Sequence, residues 1–107
     1  MDDKCPVQKV LEKVGGKWKL LIIFNLKQSE ILRFSELRRA IPGISEKVLT
    51  AQLRDLESDG FINRKVYPQV PPKVEYSLTE KGLSLYPVLD SLALWAQNNL
   101  PEKGGVS

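Results

Sequence analysis

The spacing of apolar residues along the chain predicts five helices and a β-hairpin. Apolar residues three or four positions apart indicate a helix, and strict alternation indicates a strand. By these criteria, helices are expected over 6–14, 17–27, 35–41, 46–58 and 80–99, and hairpin strands over 61–67 and 74–78. A very short additional strand is expected near 31–34.

Capping and helix-breaking residues set the expected ends of these helices. Ser35, Ser45 and Thr79 stand where the third, fourth and fifth helices should begin, and their hydroxyls are good acceptors for the first free backbone N–H groups. Pro42-Gly43 should separate the third helix from the fourth. Pro87 should kink or break the fifth helix, because proline removes a helical hydrogen bond.

The order of these elements is informative. Two short helices joined by a tight glycine-containing turn form a helix-turn-helix, and a hairpin with a proline-rich loop over 68–73 follows at once. This is the order of a winged helix-turn-helix, whose second helix enters the DNA major groove. The expected fold is therefore mainly α with a small antiparallel β-hairpin.

Length and composition restrict the possible functions. A chain of 107 residues fits one domain over 1–107, with 1–4 and 101–107 expected to fray. Its longest apolar run is far too short for a bilayer and its N-terminus lacks a signal-peptide core, so a cytoplasmic domain with no membrane partner is expected. One cysteine and no histidine argue against a disulfide framework, a structural zinc site and histidine-based catalysis. We therefore expect no enzyme, no metal and no cofactor.

The charge distribution favours a polyanionic partner. The net charge is +3 over the whole chain, +3 over residues 33–73 alone and −2 over residues 74–107. At 100° per residue, the core side of the fourth helix carries Leu49, Leu53 and Leu56, and the opposite side carries Lys47, Thr50, Ala51 and Arg54. Residues of those last types can contact base edges in the major groove.

A second group of residues is suited to positioning a protein on duplex DNA. These expected DNA-contacting residues are Ser35, Arg38, Arg39, Ser45, Arg64, Lys65 and Lys73. Contacts from such residues to phosphates orient a protein without selecting a sequence. Ordinary solvated surface charge is the alternative for each of them. A winged helix that binds another protein, with no role at DNA, is the alternative for the whole surface.

Several segments resemble the HxlR-type family of bacterial winged-helix transcriptional regulators. They lie at 5–7, 15–18, 33–39, 42–45, 49–57, 59–60 and 67–79, and include Gly-Gly-Lys-Trp at 15–18 and Val-Pro-Pro-Lys-Val-Glu-Tyr at 70–76. The resemblance covers nearly the whole chain. It implies a dimeric DNA-binding regulator related in fold to MarR-type proteins. It also implies that Cys5 occupies the position that redox-sensing members of the family use.

Cys5 precedes Pro6, which is favoured as the first residue of a helix, so Cys5 should be the N-cap. A thiolate there would be stabilised by the positive end of the helix and by neighbouring Lys4. We therefore expect a reactive thiol that responds to a small-molecule oxidant or electrophile. With a single cysteine, a protein disulfide would have to join two subunits. The alternative is a small side chain that fills a gap beside a dimer core.

The first and last helices carry more apolar residues than a small monomer can cover. The last helix is apolar around most of its circumference, and such helices are buried on several sides. The first helix should form the companion surface in a homodimer. The expected interface residues are Val7, Val10, Leu11, Tyr86, Leu89, Leu92 and Trp95. Burial within one chain is the alternative.

Overall fold

A computed structural model describes residues 5–100 of the chain. Its helices are α1 (Pro6–Val14), α2 (Lys19–Ser29), α3 (Phe34–Ala40), α4 (Glu46–Ser58) and α5 (Glu80–Asn99), and its strands are β1 (Leu32–Arg33), β2 (Ile62–Tyr67) and β3 (Lys73–Leu78). Every predicted element is therefore confirmed, including the very short strand, although α2 begins and ends two residues later than expected. The fraying expected at 1–4 and 101–107 lies outside the described residues.

The N-caps of α4 and α5 are the predicted ones, and the N-cap of α3 is not. The Ser45 hydroxyl accepts a hydrogen bond from the backbone N–H of Val48 at 3.1 Å, and Thr79 plays the same part in α5. The N-cap of α3 is Arg33, which places Ser35 inside the first turn. The reason is Glu36, whose carboxylate accepts the Arg33 backbone N–H at 2.8 Å and so fixes the start of the helix two residues earlier.

Of the kink or break expected at Pro87, the break is absent, because the helix continues through this residue. Helix α5 runs from Glu80 to Asn99 as a single helix with Pro87 inside it. Proline costs an interior helix one hydrogen bond, but a long helix packed along its length can keep its course. In this chain α5 packs against α2 and the sheet, so tertiary contacts outweigh the local preference.

The hairpin belongs to a three-stranded antiparallel sheet with strand order β1-β3-β2. Because side chains alternate between the two faces of a strand, the register separates two sets of residues. The core face carries the pairs Ile62–Leu78, Arg64–Tyr76 and Val66–Val74. The outer face carries the pairs Lys65–Glu75 and Tyr67–Lys73, together with Arg33 of β1 beside Glu75.

The hydrophobic core lies between the helices and the core face of the sheet. Its buried residues come from all five helices, from β2 and from the connections that follow α3 and α4: Val14, Ile22, Ile23, Leu26, Leu37, Ile41, Ile44, Leu49, Leu53, Leu56, Phe61, Ile62 and Leu89. One side of α4 is thereby fixed against the core, and its opposite side remains outside. No helix within residues 5–100 combines the length and the apolar character that crossing a membrane requires.

Candidate nucleic-acid interface

The outward side of α4 has the composition that the helical periodicity predicts. Leu49 and Leu56 are fully buried, whereas Lys47, Ala51 and Arg54 are exposed. Thr50 is half-buried, and its hydroxyl donates to the backbone carbonyl of Glu46 at 2.9 Å. The hydroxyl hydrogen is thus engaged within the helix, and the Thr50 oxygen can act toward an external ligand only as an acceptor.

A cleft of about 440 Å³ separates α4 from the wing, which we define as β2, β3 and the loop 68–72 between them. Thr50 and Arg54 of α4 line one side of this cleft, and Arg64 lines the other. Its remaining lining consists of Phe34, Leu53, Glu57, Val74 and Tyr76. Two guanidinium groups therefore flank an opening with apolar and aromatic walls. Because β2 follows α4 directly and turns back beside it, Arg64 lies across the cleft from Arg54.

A second depression, of about 450 Å³, lies between the start of α3 and the start of β3. It brings together three residues that the sequence identified separately as phosphate contacts: Ser35, Arg38 and Lys73. It also contains Arg33, which sequence reasoning missed, and Glu46. The depression and the cleft share the side chains of Phe34 and Val74, so the two concave surfaces are contiguous.

Arg64 and Lys65 are adjacent in sequence but lie on opposite faces of the sheet. Arg64 is on the core face and lines the cleft, whereas Lys65 is on the outer face opposite Glu75. The Lys65 ammonium lies 5.0 Å from the centroid of the Tyr67 ring, and that of Lys73 lies 4.7 Å from it. Arg64 and Lys65, both predicted as DNA contacts, therefore belong to different surfaces.

On the outer face of the sheet, the Glu75 carboxylate lies beside the cationic residues Arg33, Lys65 and Lys73. The Lys73 ammonium is 3.3 Å from the Glu75 carboxylate, and the two side chains are only 27% and 19% exposed. Burial on its own would raise the pKa of the Glu75 carboxyl. Hydrogen bonds from Tyr67 and Lys73 and the positive charges of Lys73 and Arg33 outweigh it and keep that pKa below its usual range. Lys73 is thus held at the start of β3, directly after the loop 68–72.

The other predicted contact residues are accessible but lie outside both concave surfaces. Arg39 and Ser45 are exposed, and the hydroxyl oxygen of Ser45 is engaged as the cap of α4. Within the second depression, Arg38 lies 3.9 Å from Glu46. Both side chains are more than half exposed, and pairs of this kind contribute little to stability.

Cys5 occupies the predicted N-cap of α1. Its Sγ atom is exposed and accepts a hydrogen bond from the backbone N–H of Gln8 at 3.4 Å. Within the described range 5–100, no group of three or more potential metal ligands is found. The chemistry available at this end of the molecule is therefore that of a thiol at a helix N-terminus.

The predicted interface residues fall into two groups. Val7, Val10 and Leu11 of α1 and Leu92 and Trp95 of α5 are between 46% and 66% exposed, so their own chain leaves them largely uncovered. The other two make contacts within their own chain. Leu89 is in the core. Tyr86 stacks on Phe24 and lies beneath the Lys27 ammonium, with its hydroxyl bonded to Gln28 at 3.0 Å.

Comparison with known proteins agrees with this architecture. Residues 13–104 match the HxlR-like helix-turn-helix family. The chain belongs to that family. An HTH-type transcriptional regulator of Methanothermobacter thermautotrophicus is 54% identical over 93 residues, which are 87% of this chain and 70% of that protein. This HxlR-like protein is therefore a transcriptional regulator of the helix-turn-helix type with a winged-helix fold.

Solved structures of similar regulators have the same fold. That of the HTH-type regulator YtcD superposes with a TM-score of 0.86 at 50% identity, covering 92% of this HxlR-like chain and all of the YtcD chain. That of the oxidised form of HypR, described as a redox regulator, superposes with a TM-score of 0.83 at 46% identity, with coverage of 92% and 100%.

Proposed function

We propose that this HxlR-like regulator is a homodimer that binds a pseudo-palindromic DNA operator through α4. The observation that supports the proposal is the exposed side of α4, where Lys47, Ala51 and Arg54 are accessible and no carboxylate lies between them. Lys and Arg can bond guanine, a Thr oxygen can accept from a base amino group, and Ala can pack on a thymine methyl. Arg64, on the wing, would contact phosphates of the DNA backbone beside that groove.

The homodimer is supported by the apolar surface of α1 and α5. Large exposed apolar areas mark interaction sites, and both helices leave several large apolar side chains about half exposed or more. A second copy of the chain would cover this surface in a symmetric, self-complementary way. Two α4 helices would then lie in successive major grooves, about 34–36 Å apart.

Regulation through Cys5 is supported by its exposure at the N-cap of α1 and by the similarity to HypR, which is described as a redox regulator. An oxidant that takes two electrons and two protons from two Cys5 thiols would leave one disulfide between subunits. A small thiol could replace the second Cys5 in a mixed disulfide. Because α1 also supplies the proposed dimer surface, either product would change the relative orientation of the two α4 helices.

The experiment is a selection of bound sequences from random duplexes, performed with reduced and oxidised protein. We expect one enriched sequence with two related half-sites, and affinity that falls steeply with salt. Arg54→Ala should weaken binding to the selected site by about 5- to 150-fold and relax the preference at one base pair. If no sequence is enriched, or if affinity is flat between low and high salt, the proposal fails.

A winged helix that only binds protein would give a different result. Arg54→Glu places a carboxylate on the exposed side of α4 and should abolish binding to DNA through repulsion of the phosphates. A protein-binding module has no need of this cation. If Arg54→Glu leaves DNA binding unchanged, α4 is not the helix that contacts the DNA.

A further inference from the structure

The depression between α3 and the wing contains more positive charge than its neighbours neutralise. Arg33, Arg38 and Lys73 line it together with one carboxylate, that of Glu46. Glu46 lies 3.9 Å from Arg38, and the two side chains are 74% and 52% exposed, so water screens the pair strongly. Lys73 is paired in turn with Glu75 at 3.3 Å, so two carboxylates face three cations and the depression keeps a net charge of about +1.

The position of Lys73 at the edge of this depression is fixed by two contacts on the outer face of the sheet. Its ammonium lies 4.7 Å from the centroid of the Tyr67 ring and 3.3 Å from the Glu75 carboxylate. Tyr67 also donates a hydrogen bond to Glu75, so ring, carboxylate and ammonium form one cluster. A lysine that is already ordered loses less side-chain entropy when it binds a ligand.

We propose that Arg33, Arg38 and Lys73 together bind one DNA phosphodiester in this depression, and that Tyr67 and Glu75 are positioning residues for the Lys73 ammonium. The proposal rests on the proposed function and extends it to a site away from the exposed side of α4. A guanidinium presents paired N–H donors that match two phosphate oxygens, and an ammonium adds a point charge. The Ser35 hydroxyl supplies a further donor at the same surface.

The location of the depression favours a backbone phosphate over other anions. It shares Phe34 and Val74 with the cleft that contains Arg54 and Arg64. A duplex whose major groove receives α4 carries its phosphates along both sides of that helix. One strand backbone can therefore follow the cleft and continue into the depression without leaving the protein surface.

The test compares Arg33→Gln, Lys73→Gln and the double variant, on the selected operator and on a random duplex of equal length. Each single change should weaken binding by about fivefold on both duplexes, because phosphate contacts carry no sequence information. The double variant should weaken binding by clearly less than the product of the single effects, because both cations hold the same phosphate. Lys27→Gln, which removes one charge from α2 beside Tyr86, is the matched control and should leave affinity within twofold.

The positioning role is tested by Glu75→Gln in the wild-type and Lys73→Gln backgrounds. Removing a carboxylate near DNA should by simple electrostatics strengthen binding. If Glu75 positions Lys73, the change instead weakens binding in the wild-type background, and in the Lys73→Gln background only the electrostatic strengthening remains. Tyr67→Phe keeps the ring beneath the ammonium and should retain more affinity than Tyr67→Leu.

Some outcomes would overturn this site and leave the proposed function intact. Affinity unchanged in Arg33→Gln and Lys73→Gln, while Arg54→Ala weakens binding, is one such outcome. Stronger binding by Glu75→Gln would overturn the positioning role. Failure of the wild-type protein to bind any duplex would instead overturn the proposed function itself. Thermal unfolding of each variant checks folding, and Arg33→Lys, which keeps the charge and loses the paired donors, should weaken binding less than Arg33→Gln.

Discussion

Gly82 is a position where the structure reverses the effect expected of a common stabilising substitution. Replacing glycine by alanine within a helix usually stabilises by about 1 kcal/mol. Gly82 lies in the first turn of α5 and is buried. A Cβ atom added there would stand 2.2 Å from the backbone carbonyl oxygen of Phe61 and 3.1 Å from a methyl group of Leu78. Real Cβ atoms essentially never approach another atom within 3.0 Å.

The loss of stability expected for Gly82→Ala follows from the parts of the structure that the added Cβ atom would displace. The first turn of α5 and the Phe61 backbone would have to separate by about 0.8 Å. The same corner holds the bond from the Thr79 N–H to the Phe61 carbonyl at 3.1 Å and the bond from the Thr79 hydroxyl to the Gly60 carbonyl at 2.6 Å. Overpacking costs about 1–3 kcal/mol, and each weakened hydrogen bond costs up to about 1 kcal/mol. After the helix-propensity gain, Gly82→Ala should destabilise the protein by roughly 1–3 kcal/mol.

Urea unfolding followed by tryptophan fluorescence measures this difference. Protein concentration must be held constant, because the stability of a dimer depends on it. Ser84→Ala, an exposed change on the same helix, is the control and should be neutral or stabilising by a few tenths of a kcal/mol. If Gly82→Ala unfolds at the same urea concentration as the wild type, or at a higher one, the close approach of α5 to Phe61 is incorrect.

Three further predictions concern assembly, oxidation and pH. Trp95→Asp should convert the dimer to monomers in sedimentation experiments at micromolar concentration, whereas the exposed polar change Asn98→Asp should not; a wild-type monomer would end the dimer proposal. Cys5→Ser keeps an acceptor for the α1 N-terminus and should leave DNA binding intact while removing any response to a thiol oxidant, and a response that remains would exclude Cys5 as the sensor. Because the folded-state pKa of Glu75 is lowered, its stabilising effect should be complete above the usual glutamate pKa of about 4.3 and be lost as the pH falls below it. Glu75→Gln should therefore flatten the acid side of the stability profile, and an unchanged profile would contradict this reasoning.

The features that sequence predicts correctly are those determined within one element. The exposed side of α4 follows from the 3.6-residue period, because Leu49, Leu53 and Leu56 must face the core wherever the core lies. The caps Ser45 and Thr79 follow from hydrogen bonds to residues three positions away. The predicted N-cap of α3, Ser35, is wrong although capping is also local. The Glu36 carboxylate accepts the backbone N–H of Arg33, and this contact makes Arg33 the N-cap.

The features that sequence missed depend on neighbours distant along the chain. No pattern in the residues around Arg33 indicates a binding role. Arg33 lies beside Glu75 only because β1 pairs with β3. Alternation along β2 could have separated Arg64 from Lys65, because adjacent strand residues face opposite ways. Assigning the faces would still have required the register with β3.

Which residues of α5 lie in the core and which lie at the surface also depends on distant parts of the chain. The prediction of a dimer surface is affected in the same way. Nearly every side of α5 is apolar, so its sequence does not distinguish Leu89, which is 6% exposed, from Leu92, which is 53% exposed. The helix packs on α2 and the sheet, and those neighbours cover Leu89 and Tyr86. Burial of apolar area stabilises by about 25 cal/mol per Å², so the surface left around Leu92 and Trp95 gains most from a partner that is apolar in the same region. A second copy of α1 and α5 has that property, and it would also supply the second α4 that a two-part operator requires.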